Sequence, residues 1–365
     1  MPTPIRVGII GVGWGAIVQT PAFRCVPEFE VAAICSRRPE RVAQAAEKLG
    51  IAETSTDWRE FVQRDDLDLI SVCTPTDLHH EQTIAALQAG KAVLCEKPVA
   101  LNEGQAFEML RAAEESGKPN AVCFENRWSP QKLAAGNMIR DGYLGQPYFI
   151  RVSIAADYWH PIRSLQSEWM YKLDQGGGYL LGMASHDLDY VCSLFGEPAA
   201  VCADVRTSVP RRPRPDGTEV EVDADDTSAV LLRMRSGLQA LVSTSAVGLH
   251  MRDSYRLEAF GSEGTVFIDG SLFGTELQAG RVGDEGLSIV PGSSRLPRSG
   301  IEIPKRKAGA AIQALALMLE DWLPAFSGQP APGVPTLRDG WIVQQVIDGA
   351  RQSSDGAGWV QVKSS

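Results

Sequence analysis

Lys97 stands in Glu96-Lys97-Pro98, directly after the apolar run Ala92-Val93-Leu94-Cys95, which reads as a strand. A lysine at the end of a buried strand, among apolar neighbours, can have its pKa lowered enough to move a proton at neutral pH. The Glu96-Lys97 pair suits a solvated turn equally well. His186 lies in Ser185-His186-Asp187-Leu188-Asp189-Tyr190, which opens an apolar helix continuing through Val191, Leu194 and Phe195. In the first turn of a helix the macrodipole disfavours imidazolium, so this histidine is expected to be neutral and able to accept a proton. The alternative is a histidine that caps its own helix. Asp189, three positions on, falls on the same helical face.

A second group of polar residues also follows strand-like runs. Cys73-Thr74-Pro75 ends the run from Asp68 to Cys73, with His79 shortly after, and Arg127 follows Asn120-Ala121-Val122-Cys123-Phe124. Tyr158, Trp159, His160 and Trp169 come before the triple glycine Gly176-Gly177-Gly178. Aromatic rings with polar tips suit a sugar-like ligand, and they also suit an ordinary core. Arg127, Tyr158, Trp169 and Asp189 are the candidate substrate contacts. No His, Cys and Asp cluster has ligand spacing, so no metal is expected.

The elements that would position these groups begin with Ile5-Arg6-Val7-Gly8-Ile9-Ile10, a β-branched run too short for a helix and suited to a buried parallel strand. Gly11-Val12-Gly13-Trp14-Gly15-Ala16 then fits G-x-G-x-x-A. In a dinucleotide site Gly11 makes the tight turn, Gly13 lets a pyrophosphate approach, and Ala16 packs the helix closely, with Trp14 and Gly15 between them. An ordinary strand-to-helix turn is the competing reading. The next strand, Phe29 to Cys35, ends about twenty positions after Ala16, where an acid normally grips the ribose 2′-hydroxyl. Ser36, Arg37 and Arg38 stand there instead. A hydroxyl and guanidinium groups can hold a 2′-phosphate, which favours NADP(H) over NAD(H); a solvated arginine cluster is the other possibility.

Further strands and helices alternate up to Phe124, the signature of a doubly wound parallel sheet. Beyond it the pattern changes to one helix and then strands joined by hairpin turns, such as Arg235-Ser236-Gly237-Leu238. The expected fold is α/β: a Rossmann domain over residues 1–123, then an α+β domain over 124–365 built on an open, mostly antiparallel sheet. Ligands of such a parallel sheet lie outside the carboxyl ends of its strands, which puts Thr74, Pro75, His79, Glu96 and Lys97 beside the cofactor. Pro210 to Gly217, a stiff basic hairpin excursion, and residues 280–306, rich in Gly, Ser, Pro and mixed charge, look unstructured.

A net charge of −10 argues against nucleic acid or anionic membrane as a general partner. The seven cysteines are odd in number and lack C-x-x-C spacing, so they read as buried thiols of a reducing compartment. With no apolar leader after Met1 and no long apolar run, a cytoplasmic protein is expected.

Taken together, Gly11-Val12-Gly13, Cys73-Thr74-Pro75 with His79, Ala89-Gly90-Lys91, Glu96-Lys97-Pro98, and the triple glycine followed by His186 and Asp189 give a chain that resembles the Gfo/Idh/MocA oxidoreductases over nearly its whole length. The resemblance implies a nicotinamide cofactor, hydride transfer on a sugar, polyol or related carbonyl compound, and Lys97 and His186 as the catalytic residues beside the substrate. It also implies a C-terminal sheet that builds oligomers, so a homodimer or homotetramer is expected. One position departs from the family's commoner pattern, G-G-G-x-L-x-D-x-G-x-H: Gly182 stands where that pattern has aspartate. Two rival functions are an NAD-assisted glycosidase on a similar scaffold and a non-catalytic NADP-binding sensor.

Overall fold

The computed structural model describes every residue except 1–2, 164–166, 215, 252, 272–273, 302, 304–306 and 365. The chain forms two compact units, Met1–Ser129 with Arg295–Trp341, and Pro130–Ser294 with Ile342–Ser365.

The first unit holds six parallel strands: β1 (Ile5–Ile10), β2 (Phe29–Cys35), β3 (Glu53–Ser55), β4 (Leu69–Val72), β5 (Ala92–Cys95) and β6 (Asn120–Val122). Their order is β3-β2-β1-β4-β5-β6. β4 and β5 are buried at every position, as strands covered by helices on both faces must be. The helices between them are α1 (Thr20–Arg24), α2 (Pro39–Leu49), α3 (Trp58–Val62), α4 (His79–Gln88) and α5 (Glu103–Ser116). Local chemistry sets their starts: Pro39 opens α2, the Asp57 carboxylate accepts from Arg59 N at 2.8 Å, and Asn102 Oδ1 accepts from Gln105 N at 3.0 Å.

Strand order reverses between β1 and β4, and backbone bonds align the strand ends there. Gly11 N donates to Cys35 O at 2.8 Å, Cys73 N to Ile10 O at 2.8 Å, Glu96 N to Val72 O at 2.9 Å and Cys123 N to Cys95 O at 2.8 Å. Residues 11, 36, 74, 97 and 124 therefore leave the sheet along one carboxyl edge, at its topological switch point.

The second unit carries α6 (Pro130–Arg140), α7 (Ser185–Phe195) and a nine-strand sheet. Its strands are β7 (Pro147–Ala155), β8 (Pro198–Arg206), β11 (Thr227–Met234), β12 (Gln239–Ser245), β13 (Ser254–Gly261), β14 (Gly264–Ser271), β15 (Gly274–Arg281), β16 (Ser288–Val290) and β17 (Val360–Gln361). A separate hairpin pairs β9 (Arg211–Pro213) with β10 (Glu219–Glu221). The large sheet runs β16-β15-β14-β13-β7-β12-β11-β8-β17, and only β7 and β12 pair in parallel. Its inward rows form the core: Leu257, Val152, Val242 and Val230 lie side by side in register.

Two expectations change. The hairpin excursion at Pro210 has paired arms, β9 and β10, in place of an unstructured stretch, and part of residues 280–306 is strand, the end of β15 and all of β16. Residues 295–341, expected in the C-terminal domain, pack within the first unit. They include α8 (Lys307–Trp322) and the start of α9 (Leu337–Gln352). Polar ties hold them there. Trp128 Nε1 donates to Asp321 at 2.7 Å, Val122 N to Pro335 O at 2.9 Å, and Trp341 Nε1 to Glu103 at 3.1 Å.

Candidate active site and cofactor cradle

Gly11 has φ +115°, and a Cβ there would overlap the Cys73 carbonyl on the neighbouring strand end, so no L side chain fits. At Gly13 a Cβ would meet no described atom within 4 Å, so the missing side chain leaves open space rather than relieving a clash. A diphosphate fits that space, facing the start of a helical run whose first turn is π-type, Gly15–Gln19. The close packing expected at Ala16 falls instead on Gly15, whose Cβ would lie 2.9 Å from Ile9 Cγ2, while Ala16 stays half-exposed. The π turn rotates the register by about one position. Trp14 is 43% exposed at the mouth of this cradle, and the neighbouring Ile17, which the motif does not single out, is exposed as well.

Ser36 is half-buried and Arg37 and Arg38 are exposed beyond β2. Among the described residues neither guanidinium has an acidic partner within ion-pair distance, although most arginines of the chain do. The end of β2 is thus a local positive site on a chain of net charge −10.

His79 is only 1% exposed, and both ring nitrogens face inward: Nδ1 lies 2.8 Å from Pro98 O, and Nε2 lies 2.8 Å from Thr74 O. The ring staples the loop after β4 to the loop after β5. Burial holds its pKa below the usual value, while the two carbonyls oppose that shift. Its two contacts fix the Thr74 and Pro98 carbonyls relative to each other. Thr74 Oγ1 donates to Gln82 Oε1 at 2.7 Å, and Pro75 is half-buried.

Glu96 is also buried. Ser71 Oγ donates to Gln19 Oε1 at 2.7 Å, Gln19 Nε2 donates to Glu96 Oε1 at 2.9 Å, and Lys97 N donates to Glu96 Oε2 at 3.1 Å. Burial pushes the Glu96 carboxyl pKa up, with the Lys97 ammonium pulling it back. Glu96 is thus a fixed counter-group for Lys97, itself half-buried at the carboxyl edge. Gln19, which no sequence motif singles out, completes this chain; its only sequence signal is a polar residue on a buried helical face. Arg127 bonds to Gly333 O at 3.1 Å and Asp339 Oδ1 at 3.3 Å, tying its own turn to the start of α9.

In the second unit the triple glycine is a crowded turn. A Cβ on Gly177 would lie 2.5 Å from Met170 O, and one on Gly178, at φ +114°, would lie 2.5 Å from Asp225 Oδ1. Asp225 then caps the next helical turn: its carbonyl accepts from Tyr179 N at 2.8 Å and its Oδ2 from Leu180 N at 2.7 Å. The helical run consequently starts at Leu180, with a π turn to Ala184 ahead of α7. His186 sits in the second turn of this run rather than the first, so the dipole argument for a neutral ring no longer applies.

His186 is 4% exposed, and Asp189 is buried beside it on α7. Between them Asp187 is committed elsewhere. Lys132 Nζ donates to Asp187 Oδ1 at 2.8 Å, and the Tyr255 hydroxyl donates to the same oxygen at 3.0 Å. The ammonium lies 4.4 Å from the Tyr255 ring centroid and 5.4 Å from that of Tyr190. Tyr158 and Trp169 are half-buried in the segment before the triple glycine.

Residues 5–124 match the model of the oxidoreductase family with an NAD-binding Rossmann fold, and residues 133–267 match that of the GFO/IDH/MocA C-terminal domain. The chain is 26% identical to levoglucosan dehydrogenase of Pseudarthrobacter phenanthrenivorans, over 98% of either chain. It is 30% identical to the Bacillus subtilis protein named scyllo-inositol 2-dehydrogenase (NADP(+)) IolW, over 62% of each. A solved levoglucosan dehydrogenase in complex with NADH superposes with a TM-score of 0.87 at 25% identity and covers 100% of both chains.

Proposed function

The chain belongs to the Gfo/Idh/MocA oxidoreductase family, and from that premise we propose that it is an NADP(H)-dependent oxidoreductase acting on the CH–OH group of a sugar or polyol. The relatives' names point to both nicotinamide cofactors and to cyclic polyhydroxylated substrates, so the choice of cofactor rests on this chain's own residues. The observation that carries it is the positive end of β2, where Arg37 and Arg38 are exposed and, among the described residues, have no acidic partner. A ribose 2′-phosphate placed there meets charge-assisted donors, and a carboxylate that would repel it is missing.

When bound, the nicotinamide supplies the carbon that gives or takes the hydride. The chain's part is placement and proton handling. Gly11 and Gly13 admit the diphosphate, His79 holds the Thr74 and Pro98 loops together, and Glu96 fixes Lys97 at the carboxyl edge. Lys97 and His186 are proposed to exchange the proton of the reacting hydroxyl.

Titration of the protein with each reduced cofactor, followed by nicotinamide fluorescence, tests the reading. NADPH should bind at least about tenfold tighter than NADH, the size expected of one charge-assisted contact. Arg37→Ala should narrow that gap. Equal dissociation constants in the unaltered protein would refute the preference, and no turnover of any sugar or polyol in a broad panel would refute the activity.

A further inference from the structure

The inward side of the β9–β10 hairpin carries an arginine. Arg211 and Pro213 face solvent, whereas Arg212 between them is 2% exposed. Its guanidinium lies 4.9 Å from the ring centroid of Tyr171. Among the described residues it makes no side-chain hydrogen bond or ion pair, and its Nη2 is buried without a partner. The acid that acts on it electrostatically is Asp226, whose oxygens accept from Ser208 N at 2.9 Å and Val209 N at 2.8 Å and make no ion pair with Arg212. The other buried cations differ: Lys132 has Asp187, and Lys91 donates to Arg64 O at 2.7 Å.

An apolar residue at this strand position would pack on Tyr171 without the desolvation cost of a buried cation, which is several kcal/mol when uncompensated. Burial accordingly pushes the Arg212 pKa down. The surroundings lead toward the proposed catalytic helix. Tyr171 packs on Trp159 at 4.9 Å between centroids, and Trp159 packs on Tyr179 at 5.8 Å. The Tyr179 hydroxyl is a second buried polar atom without a partner, and Tyr179 directly precedes the helical run that carries His186. The hairpin pairs with no other strand; Arg214 Nε donates to Glu168 at 2.7 Å, and just past β10 Leu173 N donates to Asp223 Oδ1 at 2.8 Å and Asp223 N to Tyr171 O at 3.3 Å.

We infer that Arg212 is the anion-recognising residue of a subsite next to the Trp159, Tyr171 and Tyr179 rings, and that the ligand it serves is a sugar bearing a carboxylate or phosphate away from the reacting carbon. The planar guanidinium fork matches either group, the aromatic rings flank the apolar face of the sugar, and the Tyr179 hydroxyl adds a donor. Admission of the ligand requires β9 and β10 to part from the Tyr171 segment, a movement that no pairing to the nine-strand sheet opposes. This rests on the second unit being the substrate-binding half of a sugar oxidoreductase.

Calorimetric titration of the NADPH complex with D-glucuronate, D-glucose 6-phosphate and D-glucose at fixed ionic strength tests it. At least one anion should bind tenfold or more tighter than glucose, and which one does identifies carboxylate or phosphate. In Arg212→Met that margin should fall below threefold, and Arg212→Lys should keep part of it. Equal binding of all three ligands, undetectable binding of all three, or a margin that survives in Arg212→Met would each overturn the inference. If Arg212→Met fails to fold, Arg212→Gln, which keeps a planar group over Tyr171, takes its place with the same two outcomes. Failure of the parent reading would show separately, as loss of saturable NADPH binding in the unaltered protein.

Discussion

At Gly182, where the resembling pattern has aspartate, a Cβ would meet no described atom within 4 Å. Glycine supplies no carboxylate at that position, and Asp187 Oδ1 accepts from both Lys132 and Tyr255. We propose that Lys97 carries the larger share of the proton transfer. Lys97→Met should lower kcat by about 10² or more with little change in NADPH affinity, and His186→Ala should cost less. Steady-state kinetics on any accepted substrate gives the order, and the reverse order would show the two roles interchanged. The Lys132–Asp187 pair makes a separate prediction about stability. Lys132→Met leaves a buried carboxylate uncompensated and should cost about 3–5 kcal/mol in urea unfolding. Adding Asp187→Leu should recover most of that loss, since a buried ion pair contributes little over well-packed apolar groups. A double variant as unstable as the single one would mean that the pair stabilises by more than charge compensation.

The turn from Gly176 to Gly178 and the helical run behind it act as one element. Gly178 needs positive φ and leaves no room beside Asp225, so Gly178→Ala should destabilise the protein by about 1–3 kcal/mol, the usual cost of such strain. Gly182, inside the run with open space around it, should tolerate alanine or gain up to about 1 kcal/mol. Thermal melts of the two variants should therefore move apart, and equal losses would contradict the crowded turn. The triple glycine is legible in the sequence as a motif, but its physical reason is not, because Asp225 lies far along the chain and caps Leu180 only once β11 is in place. The same holds at the cofactor cradle. The strand, the glycine turn and the basic residues at 36–38 are local patterns and read directly. The shift of close packing from Ala16 to Gly15 comes from a π turn that no residue pattern announces. Gln19 and His79 have roles set by partners on other strands, Glu96 and Pro98, so periodicity places them on helices without revealing what they hold. The end of β15 and β16 resemble a loop in the sequence because Gly280, Gly283 and Gly286 stand among charges, while pairing of β15 to β14 and of β16 to β15 makes strands of them.

For the whole molecule, the decisive feature is the outward face of the nine-strand sheet. Its inward rows are closed, but Phe149, Leu231, Leu241, Phe260 and Phe267 remain half-exposed on the outward rows. Phe149 pairs directly with Phe260 across β7 and β13, and Leu231 with Leu241 across β11 and β12. Charges between them are already paired within the sheet, Arg151 with Glu258 and Arg256 with Asp269. A face of neutralised charges and aligned apolar side chains is costly to hydrate and self-complementary, and a two-fold operation presents each row to its own copy. We predict a homodimer, alone or as half of a tetramer, joined through this face. Light scattering coupled to gel filtration should give at least twice the 39.5 kDa chain mass, and Phe260→Glu should shift it to the single-chain value while circular dichroism stays unchanged. The substitution is informative because Phe260 lies on an outward row: it removes apolar contact and sets a carboxylate against its symmetry mate without entering the core. A mass of 39.5 kDa at every concentration would rule the dimer out, and a multimer unaffected by Phe260→Glu would place its interface elsewhere.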